Sequence, residues 1–219
     1  MSDAKAWHDR WRDGRIGFHA DHINPYLEAF WSTLSISSEA SVFVPLCGKT
    51  LDLHWLAARQ RHVIGVELSA IAIADFFTEA DLLPERTVRG PLTFWTANNL
   101  TLIEGDFFAL ESVHLDQATS FFDRAALIAL PVEIRKRYMA HLANLMPPDS
   151  IGLTVTLDYG GGAMTGPPFA VPDAEFSSLS QSRFDINPLQ RKDVLANEGK
   201  FRDRGVTHMT ETAWRLQRS

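Results

Sequence analysis

The sequence has few of the features that mark several large protein classes. Its 219 residues include one cysteine, Cys47, which excludes an internal disulfide framework and a cysteine-based zinc site. No apolar run approaches the ~18 residues that a membrane span needs, and the first residues lack the apolar core of a signal peptide. The formal charge is −6, without the basic excess of a general nucleic-acid binder. We therefore expect a cytoplasmic monomer with no membrane or nucleic-acid partner.

The apolar content is high enough for one sizeable core. Hydrophobic residues make up 45% of the chain, which is the globular average and predicts a single domain over residues 1–219. Within it we expect an N-terminal helical cover over residues 1–35, an α/β core over 41–157, and a loop with C-terminal strands over 158–219. Six tryptophans and 14 phenylalanines are many for this length, and they could fill the core or line a pocket for a flat ligand.

The core segment alternates between strand and helix patterns. Residues 41–46 and 62–67 predict strands, Ser69 can cap the helix that follows, and residues 131–145 predict a later helix. The full order from 41 to 157 is β-α-β-α-β-β-α-β, which is typical of a mostly parallel sheet covered on both faces.

The two ends of the chain differ from the core. Residues 3–12 predict a helix with Trp7 and Trp11 on one face, and Asn24 can cap a second helix. We expect this N-terminal segment to close over a ligand and to become more ordered when the ligand binds, although a permanently docked helix is the alternative. After Tyr159 come a Gly- and Pro-rich loop, a short helix, and two β-rich segments with a turn near Glu198, which we expect to extend one sheet edge in antiparallel fashion.

Ligands of open α/β sheets bind at the carboxyl ends of the strands. Four segments follow predicted strands here: 45–49, Glu67, 105–108 and 123–124. Glu67 is the most informative, because it lies 19 positions after Gly48, close to the spacing between a glycine turn and an acid that binds ribose hydroxyls. The alternative is a glutamate that caps the helix after Ser69.

The glycine turn favours a nucleoside without phosphates. The segment PLCGKT keeps one glycine, so it lacks both the G-x-G-x-x-G pattern and the first glycine of a P-loop. A turn with one glycine does not let the backbone approach a pyrophosphate closely. This indicates S-adenosylmethionine as the ligand and argues against a nicotinamide dehydrogenase.

Other charged and aromatic residues at strand ends have two interpretations each. Asp106 and Phe107 suit the amine and the ring of adenine, or they are a turn residue and a core residue. Asp123 and Arg124 stand in an apolar segment where charge is costly, which favours a ligand site over a structural ion pair. The basic residues 135–137 predict a solvated helix face. A histidine metal site and a nucleophilic Cys47 are both disfavoured, because neither has completing partners in the sequence.

Several segments together resemble the thiopurine S-methyltransferase family, particularly its bacterial members. They follow the family's order over almost the whole chain and are specific only in combination: WHDRWRDGRIGFH (7–19), VFVPLCGKTLDLHWLA (42–57), VIGVELS (63–69), FFDRAAL (121–127) and GPPFAVP (166–172). The resemblance implies a class I methyltransferase fold, S-adenosylmethionine as methyl donor, and transfer to the sulfur of a small aromatic or heterocyclic thiol. Some bacterial relatives are associated with methylating selenium or tellurium compounds.

The resemblance also implies which residues bind the two substrates, with no metal. The donor would contact residues of the N-terminal helix, the glycine turn and three strand ends, namely Trp11, Leu46, Glu67, Asp106, Phe107 and Arg124. The acceptor would contact Phe18 and His19 in the GFH loop, with Pro167 and Pro168 as a lid. No catalytic base is implied. Arg124 could favour an anionic acceptor or bind the donor's carboxylate, and both possibilities stay open.

The fold does not determine which atom accepts the methyl group. The alternatives are therefore a methyltransferase that acts on nitrogen, oxygen or a metalloid, and a protein that binds the nucleoside without catalysis.

Overall fold

The computed structural model describes residues 4–17, 19–162 and 164–219, and the chain divides into a first unit that ends at Phe122 and a second that begins at Asp123. The helices of the first unit are α1 (Ala4–Arg12), α2 (Pro25–Phe30), α3 (Asp52–Ala57) and α4 (Ala70–Glu79). Its strands are β1 (Ser41–Val44), β2 (His62–Glu67), β3 (Glu85–Arg89), β4 (Leu92–Ala97), β5 (Leu100–Glu104) and β6 (Ser120–Asp123), the last of which crosses the boundary by one residue.

The strands of the first unit are arranged in the order β3-β4-β5-β2-β1-β6. The four strands from β5 to β6 run parallel, whereas β3 and β4 pair antiparallel with their neighbours. β1 is buried at every position, as expected for a central strand covered on both faces. The carboxyl ends of these parallel strands therefore face the same edge, and Leu46, Glu67 and Asp106 follow or end three of them.

Side-chain caps fix the starts of two predicted helices. The Asn24 side chain accepts hydrogen bonds from the backbone N–H groups of Tyr26 and Leu27, and Pro25 occupies the first position of α2. The Ser69 side chain accepts from Ala72 N at the start of α4. Both caps were predicted from the sequence, and both are confirmed.

A hairpin that the sequence pattern did not predict lies between α4 and β5. β3 and β4 are joined at Gly90, whose φ is +59°. All five residues of β3 are exposed, so the strand lacks the apolar alternation that marks a half-buried strand. It is held by pairing with β4, and the Arg86 guanidinium lies 3.9 Å from the centre of the Trp95 ring.

The second unit combines helices with three antiparallel strands. Its helices are α5 (Ala126–Ala129), α6 (Val132–Leu145), α7 (Asp173–Ser180) and α8 (Gly199–Arg202), and its strands are β7 (Ile151–Gly161), β8 (Phe184–Asp193) and β9 (Val206–Arg218). β9 pairs antiparallel with β7 on one side and with β8 on the other. The two predicted C-terminal strands are therefore confirmed, although the turn expected near Glu198 is the start of α8.

One predicted surface in the second unit is wrong. Arg135 is buried with 3% of its surface exposed, while Lys136 and Arg137 are exposed as expected. The Arg135 guanidinium donates to Glu175 at 2.7 Å and to the carbonyl oxygen of Leu130 at 2.9 Å. A charged partner and a backbone acceptor thus compensate for its burial, and neither can be read from the helix pattern alone.

Within the described residues, no helix has both the length and the apolar character needed to cross a membrane.

Candidate functional site

The turn after β1 has an unusual backbone. Leu46 has a φ of +47° and Gly48 a φ of +54°, so two residues of this short turn are left-handed. The turn is fixed to the neighbouring strand because Cys47 N donates to Val66 O at 2.9 Å. A left-handed residue other than glycine costs on the order of 1–3 kcal/mol, so the surrounding turn must hold Leu46 in this conformation. The assignment of Leu46 to the donor site stays a prediction.

Glu67 connects this turn to the start of α4. Its carboxylate is 8% exposed at the end of β2. One oxygen, Oε2, accepts from Gly48 N at 3.0 Å, and the other, Oε1, accepts from Ser69 N at 2.8 Å. The capping role considered from the sequence is therefore present. Each oxygen has a second lone pair, so the same carboxylate can also accept from a ribose hydroxyl.

Burial sets the protonation behaviour of Glu67. Desolvation raises the pKa of its carboxyl group, and the backbone N–H donors of Ser69, Gly48 and Leu68 oppose that shift. The same charge acts on Cys47, because burial and the nearby Glu67 carboxylate raise the pKa of the Cys47 thiol well above its ordinary value. A thiol held in its neutral form is a poor nucleophile.

Trp11 lies against the glycine of the turn. It is 5% exposed, and a Cβ added to Gly48 would stand 3.2 Å from Cζ2 of its indole ring. Trp7, on the same face of α1, is half-buried. The absence of a side chain at Gly48 therefore lets an N-terminal aromatic ring reach the turn, which explains why the single glycine of PLCGK stands where it does.

A buried aspartate that sequence reasoning missed fastens the N-terminal segment. Asp52 is fully buried, and its Oδ1 accepts from Asn24 N at 2.7 Å. Its other oxygen accepts from the Thr50 hydroxyl at 2.8 Å. The start of α3 thereby holds the chain just before α2. An acidic residue at the start of a helix looks like an ordinary dipole partner in sequence, so no local signal reveals this long-range contact.

The turn after β5 is built as a small capped helix. Oδ1 of Asp106 accepts from Phe108 N at 2.9 Å and begins the 3₁₀ turn Phe107–Ala109. Phe107 is 5% exposed and stacks on Phe43 with ring centres 6.3 Å apart, whereas Phe108 is half-buried. Both predicted residues lie at a strand end, but the more accessible ring of the pair is Phe108. This is a candidate contact that the sequence reasoning missed, although the repeated phenylalanine was its signal.

In the second unit, Arg124 lies in the bend that directly follows β6. β6 ends at Asp123, so Asp123 is the last residue of the strand and Arg124 lies just beyond it. Asp123 is 1% exposed, and Arg124 is half-buried. Oδ1 of Asp123 accepts from Ala126 N at 2.9 Å and Oδ2 accepts from the Tyr138 hydroxyl at 2.7 Å. The carboxylate thus secures both the start of α5 and the inner face of α6.

The predicted acceptor residues are distributed over both units. Phe18 lies outside the described residues, and His19 is half-buried with its N–H donating to Ile16 O at 2.8 Å. Pro167 and Pro168 are half-buried in the loop after β7. That loop is held within its own unit, because the Tyr159 hydroxyl donates to Pro168 O at 2.8 Å and Phe169 N donates to Ile128 O at 2.7 Å.

Two further features of the described residues bear on the choice of site. No group of three or more histidine, cysteine or acidic residues there could hold a metal ion. An open cavity of about 340 Å³ is lined by Lys49, Leu51, His54, Phe76, Glu79 and Ala80, and none of these is one of the predicted donor-binding or acceptor-binding residues. Lys49 is already paired there with Glu79. Strand-end geometry, and not cavity size, therefore identifies the candidate site.

Comparison with known proteins gives matches over the full length. A family model described as thiopurine S-methyltransferase matches residues 2–219. A thiopurine S-methyltransferase of Pseudomonas aeruginosa is 49% identical over 215 residues, covering 98% of this chain and 99% of that protein. One from Xanthomonas axonopodis is 41% identical over 216 residues, covering 99% of each chain.

Solved structures agree on the fold. A Burkholderia thailandensis 1,6-didemethyltoxoflavin-N1-methyltransferase, with bound S-adenosylhomocysteine, has a TM-score of 0.65 at 14% identity, covering 99% of this chain and 87% of that one. An S-adenosylmethionine-dependent methyltransferase from Anabaena variabilis has a TM-score of 0.63 at 13% identity, covering 100% and 96%. The predicted class I methyltransferase fold is confirmed.

Proposed function

The chain belongs to the thiopurine S-methyltransferase family, and we propose that it transfers the methyl group of S-adenosylmethionine to the sulfur atom of small aromatic or heterocyclic thiols. The enzyme is an S-adenosylmethionine-dependent methyltransferase, as its family and its fold indicate. The monomeric state and the cytoplasmic location stay predictions from the sequence.

One observation supports the donor site most directly. The buried carboxylate of Glu67, at the end of β2, holds the N–H of Gly48 in the turn after β1 at 3.0 Å. This hydrogen bond joins the ends of two neighbouring strands. The carboxylate at that place can also accept hydrogen bonds from the two hydroxyl groups of a ribose. The turn has a single glycine and no backbone cradle for a pyrophosphate, so the residues fit a nucleoside with a sulfonium side chain better than a dinucleotide.

The remaining donor contacts follow from the position of each residue. We assign Leu46 to the turn backbone beside the donor and Trp11 to an aromatic wall over that turn. Asp106 has Oδ2 left for the adenine amine once Oδ1 caps its 3₁₀ turn, and the Phe107–Phe108 pair supplies an aromatic edge. Arg124 supplies a fixed positive charge from the bend after β6.

The acceptor site is proposed on the family resemblance. The resemblance assigns Phe18, His19, Pro167 and Pro168 to contacts with the thiol. The residues of α1 would complete a water-excluding cover, in line with the burial of Trp11. Because the loop is hydrogen-bonded to Tyr159 and Ile128, we expect its prolines to be a fixed part of the acceptor site and not a mobile flap.

The chemistry needs little from the side chains beyond placement. S-adenosylmethionine supplies a methyl group that its sulfonium already activates. Many aromatic thiols ionise near neutral pH, so the site needs no strong general base. The residues therefore act by holding the thiolate in line and excluding water. Arg124 either favours the thiolate or binds the carboxylate of the donor.

The test uses acceptors that differ in one atom. Methyl transfer from labelled S-adenosylmethionine is measured with thiophenol, phenol and aniline, and in separate arms with a thiopurine, selenite and tellurite. We expect transfer to the two thiols and none to phenol or aniline. Transfer only to phenol, aniline or the inorganic anions would reassign the acceptor. Binding of S-adenosylhomocysteine without transfer to any acceptor would indicate a nucleoside-binding protein and contradict the proposal.

A further inference from the structure

A buried hydrogen-bond cluster surrounds the bend that carries Arg124. Asp123 precedes this arginine, and its carboxylate accepts from the backbone N–H groups of Ala126, at 2.9 Å, and Leu127, at 3.4 Å. Arg124 and Ala125 are thus the two residues spanned by a side-chain cap on α5. The bend is therefore held by hydrogen bonds between the side chain of the residue before it and the backbone of the residues after it.

The Tyr138 hydroxyl connects this bend to a longer helix. Tyr138 lies in α6 and is fully buried, and its hydroxyl group donates to Oδ2 of Asp123 at 2.7 Å. α6 has 14 residues, whereas α5 has only four, which is too short to be stable on its own. The longer helix therefore supplies the rigid support that the short one lacks.

The donor and acceptor roles within this pair are well defined. Burial raises the pKa of Asp123 to about 6, and burial with the Asp123 charge raises the pKa of Tyr138 well above its ordinary value. Near neutral pH the tyrosine keeps its proton, and its hydroxyl group donates a hydrogen bond to the aspartate. A hydrogen bond to a charged acceptor is about twice as strong as one between neutral groups, which suits it to fixing a backbone conformation.

We propose that Asp123 and Tyr138 are positioning residues that hold the bend after β6 in one conformation, so that Arg124 meets its ligand without a cost for ordering. This inference rests on the proposed function, because it takes Arg124 as a ligand-binding residue. It does not depend on whether Arg124 contacts the donor or the acceptor. Asp123 itself is 1% exposed and has its carboxylate committed to three donors, so it acts through the bend and not by touching a ligand.

The test is a double-mutant cycle between Tyr138→Phe and Arg124→Ala. Affinity for S-adenosylhomocysteine is measured by calorimetry, and KM and kcat for thiophenol are measured separately. Tyr138→Phe removes one hydroxyl and keeps the ring. We expect it to weaken the same ligand that Arg124→Ala weakens, by about fivefold, and to have less than about a twofold effect when Arg124 is already alanine.

A matched control separates positioning from loss of stability. Thr156→Val also removes one buried hydroxyl of the second unit, which accepts from Trp214 Nε1 at 2.9 Å. It should destabilise the protein without changing either ligand constant. Rescue provides a second readout: Asp123→Asn keeps an acceptor oxygen for the α5 cap and should retain more affinity than Asp123→Ala.

The outcomes distinguish the inference from the function. If the wild-type protein binds S-adenosylhomocysteine but Tyr138→Phe leaves both ligand constants unchanged, or weakens them equally with and without Arg124, the positioning role is overturned and the function stands. The same holds if Arg124→Ala has no effect on either ligand. If the wild-type protein neither binds S-adenosylhomocysteine nor methylates thiophenol, both proposals fall.

Discussion

Two buried carboxylates end two strands of this protein, and they are held by different kinds of donor. Glu67 ends β2 and accepts from backbone N–H groups of two separate segments, Gly48 and Ser69, with 8% of its surface exposed. Asp123 ends β6, is 1% exposed, and accepts from a tyrosine hydroxyl as well as from the backbone. We propose that the first carboxylate binds the ligand itself and that the second supports the arginine that binds it, although both are buried carboxylates at strand ends.

The largest expected effect belongs to Glu67. Glu67→Ala removes a charged acceptor from the proposed ribose site, which should weaken S-adenosylhomocysteine binding by roughly 10- to 150-fold. Isothermal calorimetry measures the affinity, and circular dichroism checks that the variant is folded. Unchanged affinity in a folded Glu67→Ala protein would exclude Glu67 from the site and reduce it to a helix cap.

Arg124 should come next in size. Arg124→Ala should lower kcat/KM by about tenfold or more, since it removes a charged contact. Arg137→Ala, a change on the exposed side of α6, should alter it by less than about twofold. Arg124→Lys should recover little if the guanidinium makes a two-pronged contact. Equal losses in the two alanine variants, both folded, would contradict the role of the bend.

The Asp123 carboxyl group should give the stability of the protein a distinctive pH dependence. Its pKa is about 6 in the folded protein, above the ordinary value of 3.8. Between these values the folded state keeps a proton that the unfolded state has released, so Asp123 contributes stability that is lost as the pH rises from about 4 to about 6.

Urea unfolding of the wild type and of Asp123→Asn at several pH values tests this sign. The asparagine does not titrate, so the wild type should lose about 1–2 kcal/mol relative to it across that interval. The difference in unfolding free energy between the two proteins cancels the contributions of other titrating groups, such as Glu67, whose pKa is also raised. A constant difference from pH 4 to 7 would show that Asp123 does not titrate there.

The smallest effect is expected at Gly48. Gly48→Ala places a methyl group 3.2 Å from the Trp11 ring at a φ of +54°, which should cost about 1 kcal/mol of unfolding free energy. Tryptophan fluorescence should change as the ring moves from the turn. Gly14→Ala is the control, because Gly14 also has a positive φ but a Cβ added there would meet no atom within 4 Å. An identical fluorescence change in both variants would argue against the Trp11 contact.

The sequence predicts what short-range chemistry determines. The caps at Asn24 and Ser69 follow from residue type and position, and β2 was predicted at the bounds it has, because a buried run ending in a carboxylate is distinctive. The α/β alternation likewise follows from periodicity. These features need no knowledge of distant residues.

The sequence could not reveal features that depend on contacts between residues far apart in the chain. β3 depends on pairing with β4 and on Arg86 over Trp95, so its own residues look like a polar loop. Arg135 is buried because Glu175 meets it from 40 positions away. The left-handed φ of Leu46 reflects the surrounding turn, since leucine has no local preference for it.

The pairing of β9 has a consequence for how the protein is made. β9 is the last strand of the sequence and lies between β7 and β8, to which it pairs along nearly its whole length. A ribosome delivers β8 well before the strand that it pairs with. Until then the backbone N–H and C=O groups of β8 lack the partners that β9 provides. A premature stop before Val206 would thus harm the second unit far more than the number of lost residues suggests.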